Sequence, residues 1–240
     1  MMGVMSKPKV IIGAVAAVVV LAVVGTFAFI KIYEDPQEKL TLDDAFTTTT
    51  VAGAPAPTAP AASALTSLDG RWVPAAGSKV QYRVKESLFG QDVTATGTGT
   101  GITGSLIIAG TKATNVDIVV DMKTFSSGRD QRDGQVENRI MEVSTHPTAT
   151  FTLTKPIEFG TVPKEGATVD ASATGDLTIR GVKKAVTFPV QAKLNGATIG
   201  VAGTIPFNFD DYKIPNPSGG PATISDTGGE MVLAVAFAKQ

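Results

Sequence analysis

From Trp72 to Lys239 apolar side chains recur at every second position, with Gly, Pro and Asn at the breaks. A period of two is the mark of a strand that buries one face. Ser78 to Glu86 sets Val80, Tyr82 and Val84 against Lys79, Gln81, Arg83 and Lys85, and Asn115 to Met122 sets Val116, Ile118, Val120 and Met122 against Asn115, Asp117 and Asp121. Ala149, Phe151 and Leu153 alternate with threonines, and Val169 to Ile179 alternates with Asp, Ser and Thr. Val186 to Leu194 and Ile199 to Phe207 repeat the pattern. A Gly-rich stretch from Val93 to Ile108 predicts one or two further strands with bends or bulges. The last run, Glu230 to Lys239, is apolar on both faces, which predicts that both are covered. Pro189 and Pro206 predict an edge, a bulge or a break where they fall.

Only Arg129 to Val143 departs from this period. Val136, Ile140 and Met141 stand near helical spacing among Asp, Arg, Glu and Asn, which predicts one short amphipathic helix packed by those three. About eight strands with polar outer faces and one helix predict an all-β barrel or sandwich. Charges such as Lys79, Arg83 and Lys85 on one strand face argue against a barrel that sits in lipid.

The N-terminal third follows other rules. Val10 to Ile30 carries no charge, and at about 1.5 Å per residue it matches the roughly 30 Å hydrocarbon core of a bilayer. A cleaved secretory signal is the main alternative, but the run is long for one and no small-x-small site follows it. Residues 10–30 are therefore expected to be a transmembrane helix. Lys7 and Lys9 precede it, whereas Glu34, Asp35 and Glu38 follow, so residues 1–9 are expected in the cytoplasm and everything after the span outside it. Residues 31–67 are expected to be a flexible extracytoplasmic linker, because their Thr, Ala and Pro content from Asp43 to Ser67 has neither period and little to bury. Residues 68–240 then form the folded domain, a size that sustains a single core.

Composition narrows the function. The formal net charge is −1 and no basic run is present, which argues against a nucleic-acid partner. Cysteine is absent, and with it disulfides, thiolate nucleophiles and cysteine-based zinc sites. The single histidine, His146, precedes Pro147 at a turn and lacks the partners a metal site or triad requires. Neither a G-x-S-x-G elbow nor a strand-to-helix G-x-G-x-x-G occurs, so no catalytic residue, metal or cofactor is expected. Gly97, Gly99, Gly101 and Gly104 alternate within a β-like stretch and predict bends and close packing. Asp130, Asp133, Glu137 and Glu142 crowd the predicted helix with Arg129, Arg132 and Arg139. Surface ion pairs explain most of them, but Arg129 or Arg132 at a barrel mouth would suit an anionic or polar head group.

Four stretches resemble the YceI family of polyisoprenoid-binding proteins. They are RWVPAAGSKVQYRV from Arg71 to Val84, the pair Arg132 and Asp133, HPTATF from His146 to Phe151, and GDLTIRGVKKAVTFPV from Gly175 to Val190. The resemblance covers about Leu68 to Lys239. It implies an extended, lipocalin-like antiparallel β-barrel whose lumen holds an isoprenoid lipid such as a quinone or polyprenyl carrier. One departure follows the Arg132–Asp133 pair. Where the family often has His and Leu and then two Phe, this chain has Gly134, Gln135 and Val136 and then Ile140 and Met141, so the family helix's ligand contacts do not transfer. The resemblance, read with the alternation, places the tail among Tyr82, Val84, Ile118, Val120, Phe151, Leu153, Phe188 and Phe207. The expected function is a membrane-anchored, non-enzymatic carrier of that lipid outside the cytoplasm. A ligand-free structural or interaction module at the cell envelope is the alternative.

Overall fold

The computed structural model describes residues 37–46, 67–219 and 222–240. The expected cytoplasmic segment 1–9, the membrane span 10–30 and the linker residues 31–36 and 47–66 lie outside the described residues. Among the described residues no helix is long and apolar enough to cross a membrane.

Among the described residues, twelve strands form one antiparallel sheet: β1 (Gly70–Pro74), β2 (Lys79–Leu88), β3 (Gln91–Gly99), β4 (Ile102–Ala109), β5 (Lys112–Asp121), β6 (Thr148–Lys155), β7 (Ile157–Glu158), β8 (Thr168–Ile179), β9 (Val182–Asn195), β10 (Thr198–Asn208), β11 (Ala222–Thr223) and β12 (Gly228–Lys239). The ladder runs β1-β4-β5-β6-β8-β9-β10-β12 and closes because β1 also pairs with β12. This is an eight-stranded antiparallel barrel. Closure removes the exposed edges that an open sheet of alternating strands would present.

Two of the eight positions are long bent strands. β1 and β2 lie end to end along one side of β12, Trp72 opposite Lys239 and Arg83 opposite Glu230. β3 and β4 continue one another in the same way, Leu88 opposite Gln91 and Gly70 opposite Ile108. The bend lies at Ala75–Ser78, where the Ser78 hydroxyl donates to the Ala75 carbonyl at 2.7 Å. The barrel therefore has a closed end, near β1 and the β9–β10 turn, and a far end that the β2–β3 hairpin overhangs.

The predicted strands all form, and the prolines sit where the ladder fails. β9 pairs with β10 from Asn195 to Val190 and stops at Pro189, while Pro206 lies on the part of β10 that has no β9 partner. Phe209 to Ile214 fills that gap: Tyr212 and Ile214 are buried there, and Lys184 of β9 meets Asp211 at 3.2 Å. The predicted helix is α1 (Asp130–Gln135), prolonged by a wider turn over Val136–Ile140. Ile140 and Met141 pack on the core as expected, whereas Val136, expected beside them, is half-buried and does not join that cluster.

One correction concerns the linker. Gln37–Phe46, assigned by composition to linker 31–67, lies against the outside of the barrel. The Gln81 amide donates to the Glu38 carbonyl at 3.1 Å, Arg83 donates to the Gln37 carbonyl at 3.2 Å, and Lys39 pairs with Glu230 at 2.8 Å. Thr41 donates its amide (2.7 Å) and hydroxyl (2.8 Å) to the Asp44 carboxylate, closing a turn at Asp43–Phe46 that carries Phe46 onto Gly200. The segment is a strap across β3, β2, β12 and β10. It explains why the outward residues Val232, Ala234 and Ala236 of β12 are buried, and why polar Gln81 is only 1% exposed.

Candidate functional site

Two cavities lie end to end inside the barrel. The narrow one, 180 Å³, occupies the closed half and is lined by apolar side chains apart from Thr150 and Lys193. The wide one, 840 Å³, lies under the β2–β3 hairpin and is bounded by α1, by the loop from Ile214 to Ile224 and by β12. Val80, Val120, Ala149 and Met231 border both, so these four form the waist between two compartments of one lumen. Ligand sites for small molecules usually fall between about 300 and 1,000 Å³ and are mainly apolar with a few placed polar groups. The wide compartment fits that description, and the narrow one adjoins it with an almost wholly apolar lining.

The residues expected along the lumen divide between the two. Ile118, Phe151 and Phe188 line the narrow compartment; Tyr82, Val84 and Phe207 line the wide one; Val120 stands at the waist. Leu153 is the exception. It is buried in the core but borders neither cavity, and the β6–β8 pairing shifts register between Leu153 and Lys155. Phe151 and Phe188 meet edge to face at 5.4 Å, and Phe207 and Phe209 at 5.9 Å, so the aromatic lining is mutually packed.

Glycine shapes the wall at two places. Gly97 stands opposite Tyr82 in the β2–β3 register, and a Cβ there would come within 2.4 Å of the Tyr82 ring. At Gly99 a Cβ would meet Phe125 at 2.7 Å. The two rings lie 6.0 Å apart and stack at 26°, flat over the glycines. The glycine run thus packs aromatic rings, in agreement with its reading as β structure.

Arg129 and Arg132 both border the wide compartment. Arg132 reaches Glu86 of β2 at 3.1 Å, with side chains 16% and 9% exposed. Burial raises the Glu86 carboxyl above its ordinary pKa, and the Arg132 charge offsets this only in part. Asp133 is placed differently. Burial pushes its carboxyl up, but hydrogen bonds from the Ser127 hydroxyl (2.6 Å) and amide (2.8 Å) and the Ser126 hydroxyl (2.8 Å), with the Arg132 charge, hold it below its ordinary value. Asp133 therefore fixes the start of α1, and α1 presents Arg132 to the lumen.

Glu86 and Arg139 take part in this site without a site role expected from the sequence. Glu86 shares the parity of Val80, Tyr82 and Val84, so the alternation already pointed it inward; its charge concealed that. Arg139, at the end of the helical segment, reaches the carbonyls of Asn216 (3.4 Å), Pro217 (3.1 Å) and Ser218 (3.5 Å), clasping the Pro/Gly-rich loop over the compartment. No sequence spacing links Arg139 to that loop. His146 packs its ring against Gly181. Among the described residues no group of three or more His, Cys, Asp or Glu gathers as a metal site.

Comparison with known proteins agrees with this architecture. Among solved structures, a polyisoprenoid binding domain from Saccharophagus degradans implicated in plant cell wall breakdown superposes with a TM-score of 0.56 at 16% identity, covering 71% of this chain and 98% of that one. BcnA of Burkholderia cenocepacia gives 0.51 at 23% identity over 68% and 96% of the two chains. The Campylobacter jejuni YCEI protein gives 0.50 at 16% identity over 60% and 84%. No curated protein matches the chain. The family model described as the YceI-like domain matches residues 72–232, from the first barrel strand into the last. The chain belongs to the YceI-like family.

Proposed function

We propose that this protein is a membrane-anchored, non-enzymatic carrier of an isoprenoid lipid, such as a quinone or polyprenyl carrier, held in the barrel lumen outside the cytoplasm. The observation that carries the reading is the pair of adjoining cavities inside the barrel: a small, almost wholly apolar one shares its Val80, Val120, Ala149 and Met231 lining with a larger one that holds charged groups. A long apolar tail with one polar end has that shape. Tail burial supplies the affinity, at about 25 cal/mol per Å² before the costs of association. Arg132, Glu86 and Arg129 stand where a head group would lie. The polyisoprenoid-binding domain among the similar structures supports the choice of ligand class. Val10 to Ile30 supports the anchor, and the charges flanking that run support an outward-facing barrel.

Titration of the purified full chain with a long-tailed quinone and with a polyprenol tests this. Saturable uptake at one site per chain is expected. Failure to take up either lipid would leave the ligand-free module as the better reading.

A further inference from the structure

The strap has a direction and the chain before it has a limited reach. Gln37 sits at Arg83 and Thr98, whereas Phe46 sits on Gly200, which pairs with Ala236 nearer the closed end. The chain thus arrives at the barrel from the side of the wide compartment. Residues 31–36 separate Ile30, the last residue of the apolar run, from Gln37, and fully extended they span at most about 25 Å. From Arg83 to Phe89, at the tip of the β2–β3 hairpin, is roughly 20 Å along the strand. From Glu230, opposite Arg83, to Lys239 near the closed end is roughly 30 Å. The hairpin end lies within reach of the anchor, and the closed end lies beyond it. Phe89 is 55% exposed, and the comparably exposed Val162 (54%) lies near the closed end, beside Leu68 and Gly196. An apolar Phe ring at the tip of a hairpin can bury in the boundary between headgroups and acyl chains.

We propose that the β2–β3 hairpin end of the barrel, with Phe89 at its tip, rests on the lipid bilayer that anchors the chain, so that the wide compartment exchanges its ligand directly with that bilayer. The proposal rests on the anchor described above. It also changes the role of residues 47–66: they join two points of the barrel, Phe46 and Ser67, and do not set its distance from the membrane.

The chain has no cysteine, so Phe89→Cys and Val162→Cys each give a unique site for an environment-sensitive fluorophore. The labelled full chains are reconstituted into phosphatidylcholine and phosphatidylglycerol vesicles containing nitroxide-bearing lipid, and flotation is measured beside fluorescence quenching. Both variants should float with the vesicles, and the label at position 89 should be quenched several-fold more than the label at 162. Adding Phe46→Ala and Lys39→Glu to release the strap should leave flotation intact and reduce that difference. Floating chains with equal quenching, quenching stronger at 162, or a difference that survives release of the strap would overturn the proposal while the anchor stands. Chains that do not float would overturn the anchor, and the proposal with it.

Discussion

The Arg132 guanidinium donates to the Glu86 carboxylate at 3.1 Å, joining α1 to the inner face of β2 at the rim of the wide compartment. Burial outweighs the attraction of Arg132, so the folded protein holds the Glu86 proton more tightly than the unfolded chain does. Such a group favours folding most at acid pH, and the benefit is lost as pH rises through its folded pKa. Arg132→Ala removes the counter-charge and raises that pKa further. We expect a loss of about 3 kcal/mol at pH 7 that shrinks as the pH is lowered towards the ordinary carboxylate range. Urea unfolding at a series of pH values measures it, and a deficit that does not vary with pH would contradict the assignment.

Asp133 responds with the opposite sign. Its folded pKa lies below the ordinary value, so its contribution is present at neutral pH and lost as pH falls through that folded pKa. Asp133→Asn should cost about 2 kcal/mol at pH 7, the worth of a charge-assisted hydrogen bond, and progressively less in acid. The same unfolding series reads both variants, and both deficits should shrink as the pH falls, that of Asp133→Asn only once the pH approaches the lowered folded pKa of Asp133.

The waist is the place to separate the two compartments. Ala149 is buried and borders both, so Ala149→Leu narrows the passage without touching Arg132 or Glu86. Overpacking should cost about 1–3 kcal/mol of stability. Affinity for a long-tailed quinone should fall at least about tenfold, a loss of about 1.4 kcal/mol, while a short-tailed quinone should bind nearly as before. Equal loss for both tails, measured by equilibrium titration, would show that the narrow compartment takes no part.

Arg139 fastens the loop over the wide compartment through three carbonyls. Arg139→Ala should speed ligand release more than it slows binding, since loosening a cover acts chiefly on the dissociation rate. Stopped-flow displacement of bound quinone measures this, and an unchanged release rate would remove Arg139 from the gate.

Much of this architecture was legible in the alternation. The parity of β2 points Val80, Tyr82 and Val84 inward, and the same count extends to Glu86, although a carboxylate inside a lumen runs against the usual cost of burying charge. Pro189 and Pro206 marked the place where β9 and β10 part. Leu153 keeps the parity of Ala149 and Phe151 but packs into the core beside the cavities, and alternation alone does not separate a residue that fills a core from one that lines a cavity. The strap was hidden because its anchoring contacts are few and specific. Phe46 fits over Gly200 and Gln81 finds a backbone carbonyl, and neither match leaves a period in the sequence. The doubly apolar β12 was the indirect sign that something covers the outside of the barrel.

A lumen that carries an isoprenoid lipid should retain it through purification. The full chain, purified from its native host in mild detergent and extracted with organic solvent, can be read directly by mass spectrometry. A quinone or polyprenyl lipid at up to one molecule per chain is expected, reduced in the Ala149→Leu variant. Extracts that contain only bulk membrane phospholipid, the same for both proteins, would contradict it.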